Sequence, residues 1–240
     1  MTDSSLQDLK ERVALACRIA YFEGLCEQLG NEYAGHISVK IGENRILMPG
    51  HTHQFGRGLR DMAADDMIVV DMNGKRVEGN LKPVDEVVIH TSVYKARPDV
   101  GAVVHVHPPA ATALASTDGS LSYISLRSCF FADGIGVLER GPMLIDNTEV
   151  AEDLVKNLGK RSVVIHRGHG LVTVGKSLPE ACIRAVYLEG AVRFQLLAQQ
   201  LGVLKPFDKE QVTRFATSND LSKSDEVWLY YENKWKHSKA

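Results

Sequence analysis

Apolar residues recur every three to four positions in several stretches of the chain, which is the spacing of one face of an α-helix. The longest such stretch, 5–29, ends at Gly30-Asn31, a pair typical of a helix end. Pro83 suits the first position of another helix, and Asp85 and Glu86 then lie in its first turn, where carboxylates complement the helix dipole. The predicted helices are 5–29, 83–97, 109–116, 148–158, 178–199 and 209–216.

Short apolar or alternating runs between the helices predict β-strands. The predicted strands are 36–41, 45–48, 67–71, 101–107, 135–138, 162–166 and 171–174. Asn73-Gly74 is a hairpin turn signal, and the breakers within 51–65 predict a loop. Strands in the middle of the chain, with helices before, between and after them, predict an α/β sandwich.

Length and composition narrow the class of protein. The 240 residues fit one α/β domain, predicted over 1–240 with a C-terminal tail at 205–240. A net charge of -2 and the lack of a long Lys/Arg block argue against nucleic-acid binding. No apolar run reaches membrane-spanning length and the first ten residues are polar, so we expect a cytoplasmic protein that does not bind membranes.

The four cysteines are widely spaced and lie in apolar contexts, without a Cys-x-x-Cys pair. We therefore expect core thiols in a reducing compartment, and we do not expect thiolates to hold a metal in the zinc-ribbon manner. The cysteines are Cys17, Cys26, Cys129 and Cys182.

The strongest chemical signal is an apolar strand with two histidines, Val103-Val104-His105-Val106-His107, that stops at Pro108-Pro109. Side chains alternate between the faces of a strand, so His105 and His107 point the same way. The prolines end the strand and leave that end open to a pocket. Two such imidazoles form half of a metal site, although two histidines hydrogen-bonded on a polar sheet face are an alternative.

Two other residues are candidates for the rest of the ligand set. His169 lies in the turn Arg167-Gly168-His169-Gly170, where glycines allow a close backbone approach. Glu86 is the candidate carboxylate. Taken singly, His169 also fits a solvated loop histidine, and Glu86 a surface acid at a helix start. Together with His105 and His107 they form a three-histidine, one-carboxylate set that suits Zn, Mn or Fe(II).

The order and spacing of these residues resemble the class II aldolase/adducin family, from the first helix to about residue 200. The resemblance implies an α/β/α sandwich around a largely antiparallel sheet, and a homotetramer with its sites at subunit interfaces. It also implies three histidine ligands for one divalent metal ion per subunit, and an acid/base glutamate that can ligate the metal. The matching segments are Pro83-x-x-Glu86, Arg97-Pro98-Asp99-Val100, His105-x-His107-Pro108-Pro109 and His169-Gly170.

The chain departs from the sugar-phosphate aldolases of that family where they bind phosphate. Their Gly-Asn-x-Ser motif is Gly35-His36-Ile37-Ser38 here, and their Ser-Ser pair before the glutamate is Val84-Asp85. A valine cannot donate a hydrogen bond, and an aspartate repels a dianion. The corresponding loop reads Pro49-Gly50-His51-Thr52-His53. We therefore expect a sugar phosphate to be a poor substrate.

A cluster of histidines and arginines replaces the phosphate donors and suits carboxylates and phenolates. Its members are His36, His51, His53, Arg57 and Arg60. Arg60 is expected to be a loop charge in water, and Arg57 is either a substrate-binding residue or a loop charge of the same kind. Arg127 is a further candidate carboxylate anchor or a structural ion pair. Tyr230, in the segment Trp228-Leu229-Tyr230-Tyr231, either closes a neighbour's pocket or packs. The predicted substrate-binding residues are His36, Ser38, Arg57, Arg127 and Tyr230.

The turn around His169 resembles the branch of the family that decarboxylates hydroxylated aromatic or heteroaromatic acids. The predicted function is thus a metal-dependent decarboxylase of a small carboxylic acid, with the metal as electron sink. Glu86 is the first candidate for protonating the product carbanion, followed by His51 and His53.

Two alternatives stay open. The first is an aldolase or epimerase that acts on a sugar or a hydroxy-keto acid. The second is a non-catalytic adducin-like module. The presence of Glu86 and all three histidines argues against the module, because a scaffold has no need of them. The ligand set accepts Zn, Mn, Fe or Co and does not select among them.

Overall fold

A single sheet forms the centre of the protein, whose computed structural model describes residues 3–26, 34–141, 143–219, 221 and 224–235. Within these residues the sheet has eight strands in the order β4-β3-β2-β1-β5-β8-β7-β6. Neighbouring strands are antiparallel except β6 and β7. The strands are β1 His36–Ile41, β2 Arg45–Pro49, β3 Met67–Asp71, β4 Arg76–Glu78, β5 Ala102–Val106, β6 Gly136–Leu138, β7 Val163–His166 and β8 Gly170–Gly175.

Helices cover both faces of the sheet, and each face has its own apolar core. Helices α1, α3, α6 and α8 contribute to one core together with Val104 and Val106 of β5. Helices α2 and α5 contribute to the other, with Val103 of β5. This arrangement confirms the α/β/α sandwich with a mostly antiparallel sheet. The helices are α1 Asp3–Phe22, α2 Val87–Ala96, α3 Pro109–Leu114, α4 Leu126–Cys129, α5 Thr148–Leu158, α6 Leu178–Leu201, α7 Lys209–Ser218 and α8 Ser224–Trp235.

The alternation of β5 positions the polar side chains. Since Val104 and Val106 face the α1/α6 core, His105 points to the α2 side of the sheet. Strand β1 pairs with β5 in a register that places His36 opposite His105. The α2 side of the sheet thus carries two adjacent histidines at the end of β5.

Two helix boundaries differ from the predicted ones. Helix α1 ends at Phe22 rather than at residue 29, and the predicted stop at Gly30-Asn31 lies outside the described residues. Helix α2 begins at Val87 rather than at Pro83, so Glu86 is its N-cap residue and does not lie in the first turn. The Glu86 carboxylate makes no capping bond to α2 and instead accepts a hydrogen bond from the Ile145 N–H at 2.8 Å.

The first and last described helices pack against each other. The Trp235 ring of α8 stacks on Phe22 of α1, with 4.5 Å between the ring centroids, and Lys234 pairs with Glu23 at 2.7 Å. The aromatic segment of the tail is thus part of a helix that contacts the N-terminal helix. None of the described helices is long and apolar enough to cross a membrane.

Candidate metal centre

Three histidines converge at the end of β5. His105 lies in β5 and His107 follows it, while His169 lies in the turn between β7 and β8. Strand β8 pairs with β5, which brings that turn next to the end of β5. One donor atom from each of these three histidines lies within 4.8 Å of the others, a geometry that can hold a metal ion.

The hydrogen bonds of two of these imidazoles leave their Nε2 atoms as lone-pair donors. His105 Nδ1 donates to the Leu171 carbonyl at 3.1 Å, and His169 Nδ1 donates to the Met143 carbonyl at 3.0 Å. A neutral imidazole protonated on Nδ1 carries its lone pair on Nε2. A backbone carbonyl that fixes the tautomer in this way is a common partner of a metal-ligating histidine.

Several ring nitrogens in the centre are buried without a partner. His105 Nε2 and both ring nitrogens of His107 have no hydrogen bond within the described part of the chain, and these residues are 1% and 2% exposed. A buried polar atom without a partner costs about 1–3 kcal/mol. One unbonded nitrogen on each of these two rings, together with the nearby His169, therefore fits a divalent metal ion.

The electrostatics favour neutral imidazoles in the centre. Burial lowers the pKa of His105 to about 4 and that of His107 well below its usual value. Both rings are therefore neutral at physiological pH, which is the form that ligates a metal.

The Glu86 carboxylate lies among these imidazoles. Its Oε2 is 3.4 Å from His105 Nε2 and 3.7 Å from His36 Nε2, and its Oε1 is 3.6 Å from His169 Nε2. Burial raises the pKa of Glu86, but the neighbouring His105 and His36 rings outweigh burial and hold it well below its usual value. Glu86 is therefore ionised. Oε1 also accepts the Ile145 N–H, so Oε2 is the oxygen less engaged by the backbone.

Gly170 makes room for His107, the residue that follows β5. A Cβ atom at this position would lie 2.5 Å from His107 Cδ2 and 2.7 Å from the Val106 carbonyl oxygen. Any other residue would displace the His107 ring or the strand.

A pocket of about 210 Å³ opens onto the centre. The structure brings the predicted His36, His51 and His53 to its wall, together with the ligand candidates His107 and His169. Val84 and Asp85 also line it. The residues that replace the aldolases' phosphate donors thus face the same cavity as the metal-ligand candidates.

Two predicted substrate-binding residues lie outside this pocket wall. Ser38 is fully buried behind it, where its hydroxyl contacts His90 Nδ1 at 2.6 Å and the Tyr94 hydroxyl at 2.9 Å. Arg57 forms a two-bonded ion pair with the buried Asp66, with Nη1 at 3.0 Å from Oδ2. Arg57 therefore anchors its loop instead of facing the cavity, whereas Arg60 is exposed as expected.

Arg127 and Tyr230 lie in a second cleft, formed by α4, α6, α8 and the end of α1. The Arg127 guanidinium is 5.4 Å from the centroid of the Tyr187 ring, and Tyr230 is 61% exposed. Neither residue lines the pocket at the metal centre. The fold of one chain therefore groups these two residues with each other and not with the histidines.

Sequence reasoning missed His90 and Tyr94, which lie behind the pocket. Glu86, His90 and Tyr94 are spaced by four residues, so they share one face of the helix that the sequence predicted. That spacing was the available signal. His166 was also missed; its ring centroid lies 5.0 Å from that of His169, and its Nε2 donates to the Gly141 carbonyl at 2.9 Å.

Comparison with known proteins agrees with this architecture. The model of the class II aldolase and adducin N-terminal domain matches residues 11–196. The chain belongs to that family. A 3,4-dihydroxyphthalate decarboxylase of Arthrobacter keyseri is 32% identical over 80% of this chain and 79% of its own length.

Aldolases of the same family are also similar to the chain. An L-fuculose phosphate aldolase of Methanococcus maripaludis is 26% identical over 81% of this chain and 99% of its own. The structure of L-fuculose 1-phosphate aldolase from Glaciozyma antarctica matches 97% of this chain and 91% of its own, with a TM-score of 0.80 and 25% identity. These relatives are carbon–carbon lyases, which supports a lyase function for a class II aldolase-like chain.

Proposed function

We propose that the protein is a divalent-metal-dependent decarboxylase of a hydroxylated aromatic or heteroaromatic carboxylic acid. The observation that carries the proposal is the position of Val84 and Asp85 on the wall of the pocket that contains the metal-ligand candidates. The similarity to a dihydroxyphthalate decarboxylase supports the same reaction.

The pocket wall is poorly suited to a phosphate dianion. Val84 has no polar side-chain atom, and Asp85 is an acceptor that adds a negative charge. The imidazoles of His36, His51 and His53 are suited instead to a planar acid with a hydroxyl group, because each ring can donate or accept one hydrogen bond.

His105, His107 and His169 would hold the metal, with Glu86 beside them. A bound divalent ion supplies Lewis-acid chemistry that stabilises the negative charge left by breaking a C–C bond. The nitrogens of His105 and His107 that have no hydrogen bond within the described residues support the presence of such an ion.

The chain's own groups then handle the proton and the carboxylate. Glu86 is ionised in the resting site, so its Oε2 takes one proton from solvent and donates that proton to the ring carbon that has lost CO₂. His51 and His53 are the second candidates; their ring centroids are 5.0 Å apart on the pocket wall. The apolar face of Val84 favours loss of the substrate's charged carboxylate as CO₂.

Arg127 and Tyr230 would serve the site of a neighbouring copy. In their own chain they lie in a separate cleft, with Arg127 exposed. A guanidinium is suited to binding a carboxylate, and a tyrosine to closing over an aromatic ring. We therefore propose a homotetramer in which each substrate is bound across a subunit boundary.

A carbon dioxide and aldehyde assay tests the reaction class. The metal-loaded protein is incubated with a panel of hydroxylated aromatic acids and, separately, with sugar-phosphate and hydroxy-keto aldol donors. We expect CO₂ from an acid with a hydroxyl next to the carboxylate-bearing carbon, and no aldehyde. Efficient cleavage of fuculose 1-phosphate would overturn the proposal.

Retro-aldol cleavage is the second candidate function. It needs the same metal-ligand set, and the shared fold with fuculose phosphate aldolases favours it. Aldehyde release from a donor without phosphate would support this reading instead.

A further inference from the structure

A chain of buried hydrogen bonds leads away from the pocket through β1 and α2. His36 Nδ1 is 2.6 Å from His90 Nε2, and His90 Nδ1 is 2.6 Å from the Ser38 hydroxyl. The Ser38 hydroxyl is 2.9 Å from the Tyr94 hydroxyl, which is 3.0 Å from the Ser38 carbonyl oxygen. All four residues are at most 5% exposed, so each hydrogen in the chain must have a partner within the protein.

The far end of the chain fixes the direction of every donor. A carbonyl oxygen accepts only, so Tyr94 donates its single hydroxyl proton to the Ser38 carbonyl. The Ser38 hydroxyl then donates to Tyr94 and accepts from His90 Nδ1. A neutral His90 has one N–H, so its Nε2 accepts from His36 Nδ1.

The near end of the chain is His36 Nε2, which faces the pocket. With its proton on Nδ1, an uncharged imidazole has a lone pair on Nε2. The Glu86 Oε2 is 3.7 Å away from this nitrogen, which is outside hydrogen-bond distance. Nε2 can therefore take a hydrogen-bond donor from outside the protein or a metal ion, since His36, Glu86 and His105 also lie close enough together to hold one.

We propose that His36 is a substrate-positioning acceptor that binds a hydroxyl group of the substrate, and that His90, Ser38 and Tyr94 hold its tautomer. The chemical class of this donor is an acidic hydroxyl, such as a phenol, because a carboxylate or an ether has no proton to give. The phenol rests on the proposed function, whereas the tautomer and its support do not. An imidazole locked as an acceptor would also reject substrates that carry a carboxylate or a methoxy group at this position.

The tautomer is measured first, without turnover. ¹⁵N NMR of histidine-labelled protein loaded with diamagnetic Zn²⁺ distinguishes the protonated nitrogen of each ring, and His36→Gln identifies the His36 signals. We expect Nδ1–H and an unprotonated Nε2 in His36. In Tyr94→Phe the anchor of the chain is lost, and we expect a measurable Nε2–H population. A dominant Nε2–H form in the unmodified protein would overturn the inference.

Ligand binding then tests the acceptor. The probes are catechol and its monomethyl ether, which lacks one hydroxyl proton, and the variants are His36→Leu and His36→Gln. The glutamine can place an amide oxygen near the position of Nε2, so it is the matched control. We expect the preference for catechol to fall about tenfold in His36→Leu and less in His36→Gln, as for the loss of one hydrogen bond. An unchanged preference in His36→Leu would overturn the proposal.

Metal content separates this role from metal ligation. We expect His36→Leu to retain as much metal as the unmodified protein, whereas loss of the ion would assign His36 to the ligand set and overturn the positioning role. The NMR and metal readouts need no turnover. A protein that shows the expected tautomer but releases no CO₂ would therefore contradict the proposed decarboxylation and leave the His36 assignment standing.

Discussion

The pocket at the metal centre and the cleft beside α8 both contain charged and aromatic residues, but their hydrogen bonding differs. At the pocket, buried nitrogens of His105 and His107 have no hydrogen bond within the part of the chain that the structure describes, and Glu86 is ionised among imidazoles. In the cleft, Lys234 pairs with Glu23, and the exposed Arg127 is close to the Tyr187 ring. The pocket therefore needs an occupant from outside the chain, whereas the cleft is stable without one.

This difference assigns separate tasks to the two regions. The candidate metal centre lies within one chain, because its three histidines converge there and Glu86 lies beside two of them. Arg127 and Tyr230 reach a substrate only if another copy presents its pocket to them. Substitutions in each region should therefore have different effects on metal content, activity and stability.

Replacing His107 by alanine is expected to abolish metal retention. The variant loses one of three imidazole ligands, and metal affinity should fall by more than about 100-fold, since even second-sphere changes cost 10–100-fold. The metal content of the purified protein, measured by atomic emission, should fall from about one ion per chain to near zero, and activity with it.

His166→Ala is the matched control for that measurement. His166 is also buried on the same side of the sheet, but its Nε2 donates to the Gly141 carbonyl. We expect this variant to keep its metal. A His107→Ala protein that retains full metal and activity would remove the ligand assignment.

Mixing an inactive His107 variant with an impaired Arg127 variant should raise activity if the cleft serves a neighbour's pocket. Arg127→Ala is expected to lower kcat/KM about 10–100-fold, the effect of losing a charge-assisted hydrogen bond, without changing the metal content. When His107→Ala and Arg127→Ala chains are dissociated and reassembled together, some sites combine an intact metal centre with an intact Arg127. Activity above the sum of the separate variants is expected. Its absence, in hybrids verified by mass spectrometry, would place Arg127 outside the active site.

The metal-free protein should lose stability between pH 6.5 and pH 4. Burial lowers the pKa of His90 and His107 well below 6.5 and that of His105 to about 4. In this window the unfolded chain binds more protons than the folded one, so the free energy of unfolding falls as the pH falls. Each histidine contributes up to about 1.4 kcal/mol per pH unit.

Urea titrations at pH 7, 6 and 5 measure this slope. The loss of Glu86's contribution has the same sign, but it sets in only near and below its unfolded pKa of about 4.5. In His90→Gln, the slope of the unfolding free energy against pH should fall by the contribution of one proton, up to about 1.4 kcal/mol per pH unit. A stability that does not change across this range would contradict the neutral, buried state of the histidines.

The smallest expected effect is that of Arg57→Ala. Arg57 pairs with Asp66 behind its loop, so the variant should lose about 1 kcal/mol of stability or less, because the arginine side chain is 38% exposed and solvent screens the pair. Its KM should stay within about twofold of the unmodified protein. A tenfold rise in KM at unchanged stability would return Arg57 to the substrate site.

The sequence was most informative where local periodicity and chemistry coincide. The strand with His105 and His107 was predicted because alternation fixes the face of each side chain, and the structure has β5 there. The order of β1, β5 and β8 in the sheet did not follow from periodicity, because hydrogen-bonded pairing between distant strands is not encoded in local spacing. The resemblance to a family supplied the sandwich and its largely antiparallel sheet, but not the strand order.

Residues whose surroundings come from distant segments were harder to place. Arg57 looked like a substrate-binding cation because nothing in the local pattern pairs it with Asp66, nine residues further on. The start of α2 was placed four residues early, since the contact between Glu86 and Ile145 joins positions 59 residues apart. His90 was overlooked because its role depends on β1, which packs beside α2 only in the folded chain.

Metal titration of CO₂ release tests the central claim most directly. The protein is stripped with a chelator and reloaded in steps with a divalent ion, and CO₂ release from the best hydroxylated aromatic acid is recorded at each step. We expect the rate to rise in proportion to the bound metal and to saturate at one ion per chain. CO₂ release that is independent of bound metal, or aldehyde release as the only metal-dependent reaction, would contradict it.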